Sequence, residues 1–215
     1  MLDAKFGGEL LQLLPQRGVY RPSNSTLYIA DTHWGKDASF RALHVPLPTG
    51  GLQDDLKRLS EALEITGAER LVVLGDLTHS HHSFSEQTVA RVAAWRMAHG
   101  ECAVQLVVGN HDREVENLPV TWAIETLAPP HNDDGFLLTH FPEEHPNAFV
   151  LCGHLHPLWC LVGRGKQSLR LPCFIQTKGM LILPAFSTFT GATANHLHGV
   201  RRVYGITGEH VLQVR

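Results

Sequence analysis

The chain has 215 residues and a mass of 23.8 kDa, a length that one large domain with its own hydrophobic core can fill. Hydrophobic residues at 43% and charged residues at 18% are ordinary globular proportions, so folding needs no stapling crosslink. A formal charge of −3 and a pI near 6.6 exclude the overall positive character on which a broad electrostatic grip of nucleic acid relies, and any such hold has to be local.

In chain order, Thr26 to Ala30 reads as a strand that runs straight into Asp31. Gln53 to Thr66 follows as an amphipathic helix, with Leu56, Leu59 and Leu63 on one face and Gly67 as its stop. Leu71 to Leu74 is a second strand, ending at Gly75-Asp76. Ser83 and Glu86 have the spacing of a capping box for a helix through His99 that stops at Gly100. Val104 to Val108 is a third strand, ending at Gly109-Asn110. Strands separated by helices in this order predict βαβ units and a parallel sheet.

The second half changes character, and Glu114 to Asp134 carries no regular pattern. Short strand-like pieces then follow at Phe136 to Thr139, Phe149 to Leu151, Leu158 to Val162, Ser168 to Pro172, Met180 to Leu183, Arg201 to Ile206 and Val211 to Val214. Gly163-Arg164-Gly165 and Thr207-Gly208 have hairpin-turn composition. This half predicts a second, more antiparallel sheet. No composition break or repeat divides the chain, so residues 1–215 are expected to form a single two-sheet domain.

Cys102, Cys152, Cys160 and Cys173 include no Cys-x-x-Cys pair and are expected to be reduced and buried. The N-terminus, Met1-Leu2-Asp3-Ala4-Lys5, lacks the basic and apolar regions of a signal peptide. Apolar runs are far too short to span a bilayer, so a cytoplasmic protein without a membrane partner is expected.

The fifteen histidines are the compositional oddity, and their positions matter more than their number. Three predicted strands end in metal-competent residues: Asp31-Thr32-His33, Gly75-Asp76 and Gly109-Asn110-His111-Asp112. Loops at the carboxyl ends of parallel strands form the crevice where ligands bind. In an extended segment residues i and i+2 project to one side, so Asp31 and His33 are expected to reach one ion together, and His154 and His156 to lie on one face. Imidazoles mixed with carboxylates and an amide oxygen suit borderline transition ions rather than calcium.

Asp-x-His, Gly-Asp, Gly-Asn-His-Asp, the lone His140 after a strand, and Gly153-His154-Leu155-His156 occur in that order. The set resembles the calcineurin-like metallophosphoesterase family. That resemblance implies a four-layer α/β/β/α sandwich (α/β or α+β), with two mixed sheets flanked by helices. It also implies two divalent metal ions, manganese first and iron, zinc or nickel as alternatives. By the same resemblance Asp31, His33 and His156 hold the first ion, Asp76 bridges both, and Asn110, His140 and His154 complete the second. His111 matches the position that protonates the leaving oxygen, and Asp112 the partner that orients it. Further stretches are similar to the bacterial PdeM-type group of ligase-associated DNA-damage-response endonucleases or phosphodiesterases. They include Ala30-Asp31-Thr32-His33-Trp34-Gly35-Lys36, Phe40-Arg41, Leu169-Arg170-Leu171-Pro172-Cys173-Phe174, Leu183-Pro184-Ala185-Phe186 and Phe189-Thr190-Gly191, although Trp34 stands where a smaller aliphatic is more usual. That group implies a phosphate-ester substrate, DNA among the candidates, and functional association with DNA ligase and helicase in DNA repair.

The expected reaction is hydrolysis of a phosphodiester by a hydroxide bridging the two ions, with His111 as general acid. A histidine suits that task because small shifts move its pKa across neutrality. A phosphomonoesterase acting on nucleotides or small metabolites is the first alternative, and a non-catalytic metal-binding scaffold on the same fold is the second. Gly75-Asp76-Leu77-Thr78-His79-Ser80 lacks the Gly-Asp-x-x-Asp-Arg-Gly pattern of Ser/Thr protein phosphatases. Lys36, Arg41, His81, His82, His196 and His198 are expected at the solvated surface, while His79 is balanced between a solvated loop and contact with the site.

Overall fold

The computed structural model describes residues 1–42, 50–163, 165, 167–188, 190–191 and 198–215. The first sheet contains β1 (Leu2–Phe6), β2 (Glu9–Leu13), β3 (Val19–Arg21), β4 (Thr26–Ile29), β5 (Arg70–Leu74), β6 (Ala103–Val107) and β7 (Ile124–Leu127). Helices α1 (Lys36–Ala42) and α2 (Gly51–Thr66) connect β4 to β5, and α3 (Glu86–Ala98) connects β5 to β6. The second sheet contains β8 (His131–Asp133), β9 (Phe136–Leu138), β10 (Phe149–Cys152), β12 (Ser168–Gln176), β13 (Met180–Ile182), β14 (Arg202–Thr207) and β15 (His210–Gln213). Strand β11 (Leu158–Val162) pairs with β12 off the main path.

Both sheets are mixed. In the first, β1 to β4 are antiparallel neighbours in sequence order, and β4 to β7 are parallel, as the intervening helices require. The second runs β15-β14-β12-β13-β10-β9-β8, parallel at β13/β10 and β10/β9 and antiparallel elsewhere.

Strand alternation distributes the core. Leu27, Ile29, Leu71 and Val73 face the helices, where they meet Leu56, Leu59 and Leu63 of α2. Their neighbours Tyr28, Ala30, Val72 and Leu74 face the other way and pack against Leu151, Phe174, Leu181 and Leu183 of the second sheet. Because β4 and β5 are covered on both faces, their sequences are continuous apolar runs, and each buried Leu or Val contributes about 1.5–3 kcal/mol. Trp34 belongs to the helix-side core, edge-on to Trp95 and Trp122, so its bulk does not shape the site. A third cluster, with Val150, Cys152, Cys173, Ile175 and Ile182, lies on the outer face of the second sheet, and no α-helical residue joins it among those described. Among the described residues, the α-helices pack on the first sheet.

Helix α2 ends as expected, with Gly67 at φ 63° donating its N–H to Leu63. Helix α3 does not use the expected capping box. Ser85 is its N-cap, accepting from the Thr88 N–H, while Ser83 sits in a 3-10 turn and accepts from the N–H groups of His79 and Ser80. The stretch without a sequence pattern contains β7 and β8. Cys102, Cys152 and Cys173 are buried free thiols, but Cys160 on β11 is exposed, contrary to expectation. His81, His82 and His198 are exposed, whereas His196 and Arg164 lie outside the described residues. No helix among the described residues is long and apolar enough to cross a membrane.

Candidate metal centre

Strands β4, β5 and β6 are parallel neighbours, and so are β9 and β10, so the loops leaving each set emerge at one end. The β4 loop carries Asp31 and His33, the β5 loop Asp76, and the β6 loop Asn110 and His111. His140 follows β9, and His154 with His156 follows β10. Pairing continues past the first two strands, because Asp31 N–H donates to Gly75 at 3.1 Å and His33 N–H to Asp76 at 2.9 Å.

Two triads result. Asp31, His33 and His156 present ligand atoms within 4.8 Å of one another, and so do Asp76, His140 and His154. Asp76 Oδ2 lies 3.5 Å from His140 Nε2 and 4.0 Å from His33 Nε2, so its carboxylate faces both groups. Asn110 Oδ1 lies 3.0 Å from His140 Nε2, beside the second triad. All seven expected ligand positions are thus brought together.

The route to this convergence differs from the expected one. Asp31, His33, His154 and His156 lie beyond their strands with φ of 55°, 44°, 69° and 47°, and Asp76 has φ 54°. Left-handed backbone, rather than strand alternation, turns the i and i+2 side chains inward. Asp, Asn and His are the non-glycine residues that enter this region most readily. Such conformations are strained by of order 1–3 kcal/mol each and cluster at functional sites.

The donor atoms are left in states that suit cations. Asp31 Oδ1, both ring nitrogens of His33, and His156 Nε2 are buried without hydrogen-bond partners. Leu74 O accepts a hydrogen bond from His140 Nδ1–H at 3.0 Å, which turns Nε2 toward Asn110 Oδ1 and toward His154 Nδ1, also at 3.0 Å. Gly191 O at 3.0 Å does the same for His156, whose Nε2 lies 3.3 Å from Asp31 Oδ1. Lone pairs converging on one point repel unless a positive charge lies between them. A mixed imidazole, carboxylate and amide-oxygen set fits borderline divalent ions.

Electrostatics follow from burial. Burial pushes His33 down to about 3, favouring the neutral ligand form. Burial alone would raise Asp76, but the hydrogen bond and charge of His140, followed by the His111 N–H, hold it at about 2. Burial opposes charge on His140, yet Asp76 raises it above the usual histidine value.

His111 is exposed at the rim, with Nε2 4.0 Å from Asp76 Oδ2 and its backbone N–H donating to Asp76 Oδ1 at 2.9 Å. Asp112 does not orient its ring. The buried Asp112 carboxylate accepts backbone N–H groups from Asp76 at 2.8 Å, Gly109 at 2.9 Å and Thr78 at 3.3 Å, which ties the β5 and β6 loops together. The contact to His111 Nδ1 comes instead from the His79 carbonyl at 3.2 Å, and the His79 ring stacks on His111 with centroids 5.3 Å apart. Phe40 stacks on the far side of His79 at 5.7 Å. Burial, then Lys36, pushes His79 down to about 4.

Lys36 is half-buried rather than solvated, and its charge reaches His33, His79 and Asp76. Arg41 pairs with Asp37 at 3.0 Å. Phe141, which no sequence pattern singled out, is 42% exposed with its ring 4.5 Å from that of His154. Its only signal was its place directly after His140.

Residues 25–183 match the family model described as calcineurin-like phosphoesterase. Among solved structures, the chain is similar to the Pseudomonas putida nuclease MPE, with 33% identity, 99% of each chain covered and a TM-score of 0.84. It also matches Yfce, a phosphoesterase from E. coli, at 18% identity and TM-score 0.44, covering 88% of this chain and 97% of that one. No curated protein matched the sequence.

Proposed function

Because the chain belongs to the calcineurin-like phosphoesterase family and is therefore a metal-dependent phosphoester hydrolase, we propose that it cleaves phosphodiester bonds in nucleic acid, DNA in particular. The observation that carries the choice of substrate is its similarity to a nuclease over 99% of both chains. In this reading Asp31, His33 and His156 hold one cation, Asn110, His140 and His154 hold the other, and Asp76 serves both. Manganese is the ion we favour. Two divalent cations supply Lewis acidity that offsets phosphoryl charge and makes water more acidic.

The remaining work falls to the chain itself. Asp76 and Asp31 fix the position of positive charge, and half-buried Lys36 adds to it beside His33. The His79 carbonyl accepts from Nδ1 of His111, which leaves Nε2, 4.0 Å from Asp76 Oδ2, as the ring atom that would pass a proton to the leaving oxygen. Stacking on His79 limits ring rotation. Asp112 fixes the loop on which His111 stands. The family resemblance extends this proposal to a cytoplasmic DNA-repair role in association with DNA ligase and helicase.

The test compares bis- and mono-nitrophenyl phosphate with single- and double-stranded DNA, each with manganese. Faster turnover of the diester and nicking of DNA are expected. Hydrolysis confined to monoesters would overturn the proposal in favour of a phosphomonoesterase. A non-catalytic scaffold is disfavoured because His111 stands beside the two triads.

A further inference from the structure

Beside the metal centre lies a cavity of about 270 Å³ whose wall includes His156, Arg17, Arg170, Thr188 and Thr190 and, among the described residues, no aspartate or glutamate. A water molecule occupies about 30 Å³ of liquid, so the space admits a tetrahedral oxyanion with some hydration. Arg170 and Pro172 both line it because they stand two apart on β12 and share a face of the strand. Pro172 is paired there with Leu158, just beyond His156.

Arg17 is fixed through one nitrogen, its Nη1 donating to the carbonyls of Ala185 at 3.3 Å, Phe186 at 3.4 Å and Ser187 at 2.9 Å. Neither Arg17 nor Arg170 forms an ion pair with a carboxylate among the described residues. Burial, then the charge of Arg58, pushes Arg17 down to about 10, which still leaves it cationic at neutral pH. Asp55 lies close enough for its charge to act on Arg17, but it is not part of the cavity wall among the described residues. Two guanidinium groups and two hydroxyls on that wall describe a pocket for an anion, and guanidinium is the side chain best matched to phosphate.

His156 belongs to both the pocket wall and the first triad. Its Nε2 faces Asp31, while its Nδ1 donates to the carbonyl of Gly191, another residue of the pocket wall. We propose that the cavity holds the phosphate adjacent to the scissile one, so that the enzyme reads two consecutive phosphates of a nucleic-acid strand. This rests on the phosphodiesterase reading above. A simple monoester has no second phosphate to place there, so the pocket selects for polynucleotide.

The test compares thymidylyl-thymidine with the same dinucleotide carrying an extra phosphate at its 5′ or its 3′ end, using manganese-loaded protein. One added charge-assisted contact to phosphate should raise kcat/KM on the order of tenfold for one of the two phosphorylated forms. Arg170→Ala should abolish the difference, and Arg170→Lys should restore part of it. The ratio is internal to each protein, so partial unfolding of a variant cancels. Calorimetric binding of the same molecules to chelator-treated protein, in which nothing turns over, should show the same preference and the same loss. Equal kcat/KM for all three substrates in the unaltered protein, or a preference that survives in R170A, overturns the pocket while leaving the phosphodiesterase reading intact. Absence of hydrolysis of all three and of bis-nitrophenyl phosphate would overturn both.

Discussion

Gly153→Ala isolates how closely the two sheets must approach for the first triad to form. A methyl group there would sit 2.5 Å from the Ala30 Cβ, 2.6 Å from Asp31 Oδ2 and 3.3 Å from the Leu74 carbonyl oxygen. Carbon–carbon contacts settle near 3.5–4.0 Å, so relief demands a shift of roughly 1 Å. Nothing nearby yields easily, since Ala30 and Asp31 are fully buried and Asp31 Oδ2 accepts the His154 N–H at 2.9 Å. Overpacking of this kind destabilises by about 1–3 kcal/mol. In a domain of this length each kcal/mol moves Tm by roughly 2–4 °C, so a fall of about 2–12 °C is expected. Asp31 is the atom pushed, so the first cation should be lost preferentially. Turnover of bis-nitrophenyl phosphate should drop on the order of 10²-fold, as misplacement by about 1 Å does elsewhere. Differential scanning fluorimetry, metal analysis after dialysis and steady-state kinetics read the three effects. An alanine variant with unchanged Tm, both ions and full rate would refute the reasoning.

Three further outcomes are expected. His111→Ala should lower turnover of an alkyl phosphodiester by on the order of 10²–10⁴ while metal content stays intact; an undiminished rate removes His111 from proton transfer. Asp112→Ala should leave three backbone N–H donors near the site without an acceptor, at about 1–3 kcal/mol for each that stays buried; a urea midpoint equal to that of the unaltered protein contradicts this role. Chelation should lower Tm and manganese should restore it, since an ion held at 100 times its dissociation constant adds about 2.7 kcal/mol. A Tm indifferent to chelator would show that the triads do not hold ions in solution.

The parts of this molecule that sequence made legible are those in which a local pattern has a local cause. Strands β4 and β5 are covered on both faces and so read as apolar runs that lead to Asp31 and Asp76, and the run of β6, interrupted by Gln105, leads to Asn110. Strands β1 to β3 escaped because they are short and line one edge of the first sheet, where polar and apolar residues alternate without a helix between them. Strands β7 and β8 escaped for a related reason: their pairing partners, β6 and β9, lie outside the stretch and supply the order that its own residues do not encode. In the site, side-chain identity announced the ligands, but partnerships between loops did not show. Asp112 follows His111 directly in sequence, yet its carboxylate reaches back to the loop after β5, and the carbonyl that meets His111 belongs to a residue 32 positions earlier. Arg17 and Arg170 reach one cavity from opposite ends of the chain, which no spacing rule could foresee.

The left-handed backbone at Asp31, His33, Asp76, His154 and His156 has a consequence for how this centre is dissected by mutagenesis. At each position alanine removes a donor atom and at the same time replaces a residue type tolerant of positive φ with one that resists it. An alanine scan therefore mixes two penalties and overstates the importance of coordination. Asparagine keeps the conformational tolerance while withdrawing the imidazole or the negative charge, and glycine relieves the backbone altogether. The difference between the glycine and alanine variants at one position measures the strain, and what the glycine variant still lacks measures the donor.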